Sequence, residues 1–329
     1  MLTRLTFFFA AFLGIFLAAL PHIIWLIGWI AGKIFHFPLH YAPFGWTALG
    51  LAVFVWMLMA YGYFVGRFRI DTTAAIVTSP LLPQSFKGYK IVHISDFHLS
   101  TFSDRPSHVQ KLIDSINDIK PDLICFTGDL VTMSASEARP YSACLRQLHA
   151  KDGVMSILGN HDFFIYNNSI ADMQARDKAV ADLADLQRGE LGWMLLRNEH
   201  HVIHRGNDSI CIIGVDNIHG GGQGFSTVDY GDLRKAAEGT GGYRILLTHD
   251  PSHWESEVLC HTNIPLTLSG HTHSAQVRLF GWNPASLVFH QSWGKYEQDG
   301  QTIYVNAGLG CTLPIRINCP SEITVITLQ

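Results

Sequence analysis

The chain has 329 residues, a formal charge of −4, 48% hydrophobic residues and 15% charged ones, against about 25% charged in an ordinary soluble domain. That composition excludes intrinsic disorder, a coiled coil and collagen, and the missing cationic excess argues against a nucleic-acid partner. The charge deficit is local: residues 1–66 hold Arg4 and Lys33 and no Asp or Glu, so the rest of the chain carries −6.

Two apolar stretches open the chain, at about 5–30 and 44–66. Each is long enough to cross a bilayer core, which takes about 20 apolar residues. Neither spaces its polar residues at 3.6, so neither reads as a surface helix. The first is longer than a signal-peptide core and lacks a small-residue cleavage site. The expectation is a two-helix transmembrane hairpin with Pro21 kinking the first helix. His22 beside it faces the second helix or an interface and has no assigned function. Arg4, Arg67 and Arg69 flank the hairpin, and Lys33 alone lies within it. The positive-inside tendency then places both ends and everything after residue 70 in the cytoplasm.

Residues 67–88 read as a linker closing with Pro80 and Pro83. From 89 to 329 short apolar strands alternate with amphipathic helices. YKIVHIS (89–95), DLICFT (122–127) and VMSIL (154–158) read as buried strands. Val109, Leu112, Ile113, Ile116 and Ile119 recur at helical spacing, and Pro121 ends that helix. A second helix is predicted over 169–188. MLLRN, HVIHR and SICIIGV follow as strands joined by short turns. Helices are expected over 229–238 and 251–260, and strands at RILLTH (244–249), PLTLSG (265–270), QVRLF, TIYVN and EITVITL. Two packed sheets flanked by helices are the expected α/β architecture. Six cysteines without a CxxC pair indicate no disulfide framework and fit a reducing compartment.

The chemistry lies where strands end. Successive strands run into Asp96-Phe97-His98, Gly128-Asp129, Gly159-Asn160-His161-Asp162, Thr248-His249-Asp250 and Gly270-His271-Thr272-His273. Ligands of α/β sheets bind outside the carboxyl ends of the strands. Carboxylate and carboxamide oxygens with imidazoles suit manganese, iron, zinc or magnesium, and glycines let the backbone approach closely. Asp96, His98, Asp129, Asn160, His249, His271 and His273 are too many for one ion. They suit two, about 3.5–4 Å apart around a shared carboxylate, which together ready a water at neutral pH and clamp attacking and leaving oxygens. Phosphate-ester cleavage needs both effects.

The ordered series DFH, GD, GNHD, TH and GHTH resembles the calcineurin-like metallophosphoesterases over residues 89–329. It is most similar to their bacterial membrane-anchored branch, of the YkuE and YaeI type. YVNAGLG (304–310) and the segments at Pro314-Ile315-Arg316 and Ser321–Thr324 add to the likeness. The resemblance implies a four-layer α/β/β/α sandwich and two divalent metal ions (Mn2+, Fe2+/3+ or Zn2+). It implies that Asp96, His98 and His273 hold the first metal, that Asp129 bridges, and that Asn160, His249 and His271 complete the second. His161 would protonate the leaving oxygen, with Asp162 orienting its ring. Ser274 departs from the glycine of many relatives, which puts the shape of that loop in question. The implied location is a bacterial-type inner membrane, multi-pass.

Other residues have blander readings. His93 reads as a structural strand residue, and His200, His201 and His204 as solvated strand residues. The His219–Gly224 glycine run reads as a rim loop, since it lacks the Lys-Ser/Thr of a phosphate loop. Arg316 is either a phosphate contact or a structural ion-pair partner. Trp254, Trp282 and Trp293 are packing residues or line an apolar groove near the mouth or membrane. Phe102 and Phe163 are candidates to wall the pocket.

The expected function is a membrane-anchored, dinuclear metal-dependent phosphohydrolase. Its partners are the bilayer and a phosphate-containing substrate, attractively a lipid or nucleotide-linked lipid. The alternatives are a general phosphodiesterase acting on soluble substrates and a noncatalytic membrane module that kept the fold.

Overall fold

The structure is a computed structural model describing residues 2–170, 172–219, 221 and 227–329, with side chains from residue 11 onward. Most of the predicted His219–Gly224 rim loop lies outside the described residues. The chain divides into two units, one of residues 1–67 with 313–318, the other of 68–312 with 319–329.

In the first unit, helix α1 (Leu2–Phe35) runs unbroken past Pro21, five residues beyond the predicted end at 30. Its stop is local. His36 takes a left-handed φ of 60°, and the N–H of Phe37 closes back on the carbonyl of Gly32 at 3.1 Å, a Schellman-type termination. Helix α2 (Ala42–Phe64) starts with Pro43 in its first turn, where a missing N–H costs nothing. Only 11% and 22% of the most apolar windows of the two helices are buried, which separates them from core helices of a soluble protein. His22 Nδ1 meets the Tyr41 hydroxyl at 3.0 Å.

Residues 313–318 pack with these helices, which corrects the reading of 89–329 as one continuous domain. The backbone N–H of Arg316 donates to the Gly62 carbonyl at 3.2 Å, and a Cβ at Gly62 would lie 2.8 Å from Ile315. Arg316 is buried in this unit.

Among its described residues the second unit holds twelve strands: β1 (Ile70–Val77), β2 (Lys90–Ile94), β3 (Leu123–Phe126), β4 (Val154–Ser156), β5 (Met194–Leu195), β6 (Glu199–Arg205), β7 (Asp208–Gly214), β8 (Tyr243–Leu247), β9 (Leu266–Ser269), β10 (Gly294–Gln298), β11 (Gln301–Val305) and β12 (Ser321–Leu328). One sheet has the order β1-β12-β2-β3-β4-β5 and the other β10-β11-β9-β8-β7-β6. Helices α3 (Ser107–Asp118), α4 (Ser142–Leu145), α5 (Met173–Asp185) and α6 (Leu233–Ala236) complete it.

Three apolar cores define the layers. Val92, Ile94 and Phe126 of the first sheet pack on Val109, Leu112 and Ile116 of α3 and Leu183 of α5. The opposite faces of the two sheets meet through Ile91, Leu123 and Met155 against Ile212, Ile245 and Leu268. Outside the second sheet, Ile213, Leu246 and Val305 pack on Leu233, Ala236 and Trp254. This is the four-layer α/β/β/α sandwich, and the alternation of side chains along each strand places successive residues in different cores.

Several local readings need correction. Residues 70–77 are not linker: β1 pairs parallel with β12 from Ile70↔Ser321 to Val77↔Leu328. QVRLF is not a strand; His273–Gln276 is a 3-10 turn, and Leu279 bridges only to Trp282. Strand β10, rich in polar residues, was not predicted. The helix expected over 229–238 shrinks to α6, capped by Asp232, whose carboxylate accepts from the Lys235 N–H at 2.8 Å. That expected over 251–260 is a single wide turn, Trp254–Val258.

Candidate metal centre

Five strand ends deliver the predicted residues: β2 to Asp96 and His98, β3 to Asp129, β4 to Asn160, His161 and Asp162, β8 to His249, and β9 to His271 and His273. The backbone there is held against its own preference. Asp96, His98, Asp129, His271 and His273 have φ of 52°, 40°, 60°, 72° and 50°. A non-glycine residue in that region costs about 1–3 kcal/mol, and such strain concentrates at functional sites. Ser274, the departure from the family pattern, also sits at φ 52°, so the loop keeps a glycine-like bend with a serine. Glycines make the crowding possible. A Cβ on Gly159 would strike the Asp129 carboxylate, and one on Gly270 would strike Ser95 and Asp96.

Two clusters share one carboxylate. In the first, Asp96 Oδ1 lies 3.2 Å from His273 Nε2 and 3.8 Å from His98 Nε2, and the two imidazole nitrogens are 3.2 Å apart. In the second, His271 Nδ1 lies 3.0 Å from Asn160 Oδ1 and 3.2 Å from His249 Nε2. Asp129 Oδ2 stands between them, 3.5 Å from His98 Nε2 and 3.2 Å from His249 Nε2. All seven predicted ligands are thus brought together. The sets Asp96/His98/His273 and Asp96/Asp129/His249 each gather donor atoms within 4.8 Å, as a bound cation requires. Asp96 Oδ1 is buried without a hydrogen-bond donor aligned to it. A buried anionic oxygen in that state is costly, and a cation relieves the cost. The donor set therefore fits two divalent ions.

Electrostatics agree. Burial drives the imidazoles of His98 and His271 toward the neutral form, the latter to about 4, leaving their lone pairs for a cation. Burial opposes ionisation of Asp96 and Asp129, but surrounding histidines outweigh it and hold both carboxyls below their usual range. Burial would also lower His249, yet Asp129 raises it to about 10. A cation entering there must displace that proton.

Backbone carbonyls set the rings. His249 Nδ1 donates to the Thr127 carbonyl at 2.7 Å, which points Nε2 inward. His161 Nδ1 donates to the Thr132 carbonyl at 2.9 Å. The expected pairing of Asp162 with that ring is therefore corrected. Asp162 instead accepts the backbone N–H groups of Asp129, Val131 and Gly159 at 2.8, 3.2 and 3.0 Å. Burial and the charge of Asp129 raise it to about 8, opposed by those N–H groups. The His161 backbone N–H in turn donates to Asp129 Oδ1 at 2.9 Å.

Sequence reasoning missed Thr127, Thr132 and Tyr166. The first two act through carbonyls, which every residue has and no motif marks. Tyr166 accepts from Asn160 Nδ2 at 2.9 Å and packs its ring 4.6 Å from that of His161. An aromatic six residues after Asn160 was the only signal for it.

The other singled-out residues fall elsewhere. His93 is buried and meets Thr127 Oγ1 at 2.9 Å. His200 and His204 are exposed on β6 and His201 is partly so. Phe102 and Phe163 belong to the core behind the first sheet, and Trp254 to that outside the second. Trp293 donates to Glu322 Oε2 at 2.9 Å. Only Trp282 of these aromatics is largely exposed. His219 Nδ1 stands 3.9 Å from Asp250 Oδ2.

Comparison with known proteins agrees with this geometry. The pattern of the calcineurin-like phosphoesterases matches residues 89–275. The chain is 32% identical over 283 residues to an uncharacterized metallophosphoesterase, YkuE, of Bacillus subtilis, covering 82% of this chain and 90% of that protein. It is 30% identical over 261 residues to a transmembrane protein with a metallophosphoesterase domain from Danio rerio, covering 75% of this chain and 55% of that one. The chain thus spans only about half the length of the fish relative. An uncharacterized metallophosphoesterase of Aquifex aeolicus is 28% identical over 245 residues, covering 73% of this chain and 85% of its own. With the matched pattern filling more than half its length and its ligand clusters assembled, the chain belongs to the calcineurin-like phosphoesterase family.

Proposed function

We propose that this protein is a membrane-anchored phosphohydrolase that cleaves a phosphoester or pyrophosphate bond with two divalent metal ions. Asp96, His98 and His273 hold one ion, Asn160, His249 and His271 the other, and Asp129 both. The observation that carries the reading is the position of Asp129 Oδ2, within 3.5 Å of one imidazole from each cluster.

When bound, the ion pair supplies Lewis acidity to the phosphoryl oxygens and a nucleophilic water at neutral pH. The chain supplies the rest. Its strained strand ends fix the ligands before substrate arrives, so little reorganisation is left for the reaction. Thr132 occupies Nδ1 of His161, so Nε2 is the nitrogen left to hand a proton to the leaving oxygen. Tyr166 fixes which way the Asn160 carboxamide faces.

The favoured substrate class is a phosphate ester carried by a lipid or nucleotide-linked lipid, because the chain carries its own bilayer anchor. The catalytic unit lies on the cytoplasmic face of a bacterial-type inner membrane, on the charge asymmetry of Arg4, Arg67 and Arg69 against Lys33. Cys260, the exposed cysteine, should then react with a membrane-impermeant maleimide only after cells are opened.

Hydrolysis of bis(p-nitrophenyl) phosphate by the detergent-solubilised chain tests the chemistry. Turnover should require added metal and fall steeply in Asn160→Ala and His161→Ala. Full turnover in both variants would refute the assignment. Lipid extracts and nucleotide pools compared before and after addition of enzyme separate a lipid-borne substrate from a soluble one.

A further inference from the structure

Five large apolar side chains are exposed within ten residues just after the metal-binding His273. They are Leu279 (44%), Phe280 (107%), Trp282 (47%), Leu287 (77%) and Val288 (49%). Large exposed apolar surface on a folded unit marks an interaction site.

The tip is built, not frayed. Leu279 and Trp282 exchange both backbone hydrogen bonds, at 2.8 and 2.9 Å. Between them Phe280 and Gly281 take φ of 51° and 86°, the two left-handed residues of a tight I′-type turn. Asn-Gly is the preferred pair there, because asparagine tolerates that backbone and water. Phenylalanine tolerates neither, and here it is the most exposed large apolar residue described. The base is anchored: Asn283 Nδ2 donates to Ser292 Oγ at 3.1 Å, and the Phe289 ring meets His271 edge-on at 5.5 Å. The finger therefore rises from the wall of the metal centre.

The geometry points to insertion of this finger, residues 279–288, into the interfacial zone of the lipid bilayer. Three observations choose lipid as the occupant. The same chain carries two apolar helices long enough to cross a membrane, and only residues 65–69 separate α2 from β1, so this unit works beside a bilayer. Residues 277–289 contain no acid to be repelled by an anionic headgroup layer, and their one cation, Arg278, is stacked over the Trp293 ring at 4.1 Å. Phe, Leu and Trp are the side chains that seat at that depth. The inference does not depend on which phosphate ester the site cleaves.

The test uses the full chain in single-copy nanodiscs of phosphatidylcholine and phosphatidylglycerol. Cys260→Ser removes the exposed thiol, and Phe280→Cys carries an environment-sensitive fluorophore. Met173→Cys, 66% exposed at the start of α5, is the control. The label at 280 should be quenched by doxyl lipids. Its iodide quenching should be at least about fivefold weaker than at 173, since interfacial segments seat about 5–10 Å into the headgroup boundary. Equal iodide access at both positions overturns the proposal. So does protection seen only in discs holding two copies, which assigns the finger to a second chain. Retained hydrolysis of bis(p-nitrophenyl) phosphate shows that the labelled chain is folded. If Phe280→Cys lacks it, Leu287→Cys takes its place with the same two outcomes.

Discussion

The Nδ1–H of His161 is held by the carbonyl of Thr132 at 2.9 Å. A carbonyl only accepts, so this bond fixes a proton on Nδ1 and leaves Nε2 as the nitrogen available to a leaving oxygen. His161→Ala should lower turnover of bis(p-nitrophenyl) phosphate by about 10²–10⁴-fold, the usual loss of a general acid. Metal content by elemental analysis should stay near that of the unmodified chain.

Asp162 does different work from the one its place in GNHD suggests. Asp162→Ala leaves three buried N–H groups without their acceptor, each costing about 1–3 kcal/mol. Thermal unfolding should fall by many degrees. In whatever fraction stays folded, the pH profile of hydrolysis should keep its shape, because the ring of His161 keeps its carbonyl partner.

Tyr166→Phe removes the hydroxyl that accepts from Asn160 Nδ2. The carboxamide is then free to turn its oxygen away from His271 Nδ1. Loss of such an outer partner typically costs 10–100-fold in metal affinity. Chelator competition should show one of two ions weakened to about that extent and the other, at Asp96, His98 and His273, unchanged.

Gly159→Ala and Gly270→Ala place a methyl group against Asp129 and against Ser95 and Asp96. Both variants should bind less than two ions per chain by elemental analysis. An alanine at Gly189, where nothing lies within 4 Å, should bind the full complement.

Stability should fall in mild acid through His93. Burial holds its imidazole down to about 3, from a free value of 6.5. Between those two values the unfolded chain binds a proton that the folded chain refuses, so stability drops as pH falls, by up to about 1.4 kcal/mol per pH unit. Above 6.5 both states are neutral and the effect is absent. His93→Gln can keep the bond to Thr127 and cannot be protonated. Its melting temperature relative to the unmodified chain should rise steadily from pH 6.5 to pH 4.

The strands that carry ligands were legible because each is a short apolar run ending in a polar motif. Strand β1 was not: IDTTAAIV opens with Asp71, Thr72 and Thr73 after Ile70 and sits between arginines and prolines, and its pairing with β12, some 250 residues away, makes it a strand. QVRLF has a strand's composition, but its partners in the fold are a metal-site turn and a tight bend.

Residue type by itself determined which chemistry is available: Asp96, His98, Asp129, Asn160, His249, His271 and His273 are oxygen and imidazole donors suited to a divalent metal ion wherever they lie. It also determined the two helices long and apolar enough to cross a bilayer, because apolarity over twenty residues is a property of the segment alone. Only the tertiary structure decided how the donors share Asp129. It also decided that Thr132 and not Asp162 governs His161, and that residues 313–318 leave the sandwich to join the helices. Those outcomes turn on backbone carbonyls, on N–H groups and on glycines that admit a neighbour. Every residue carries such backbone groups, and which of them meet is settled by packing across the whole chain.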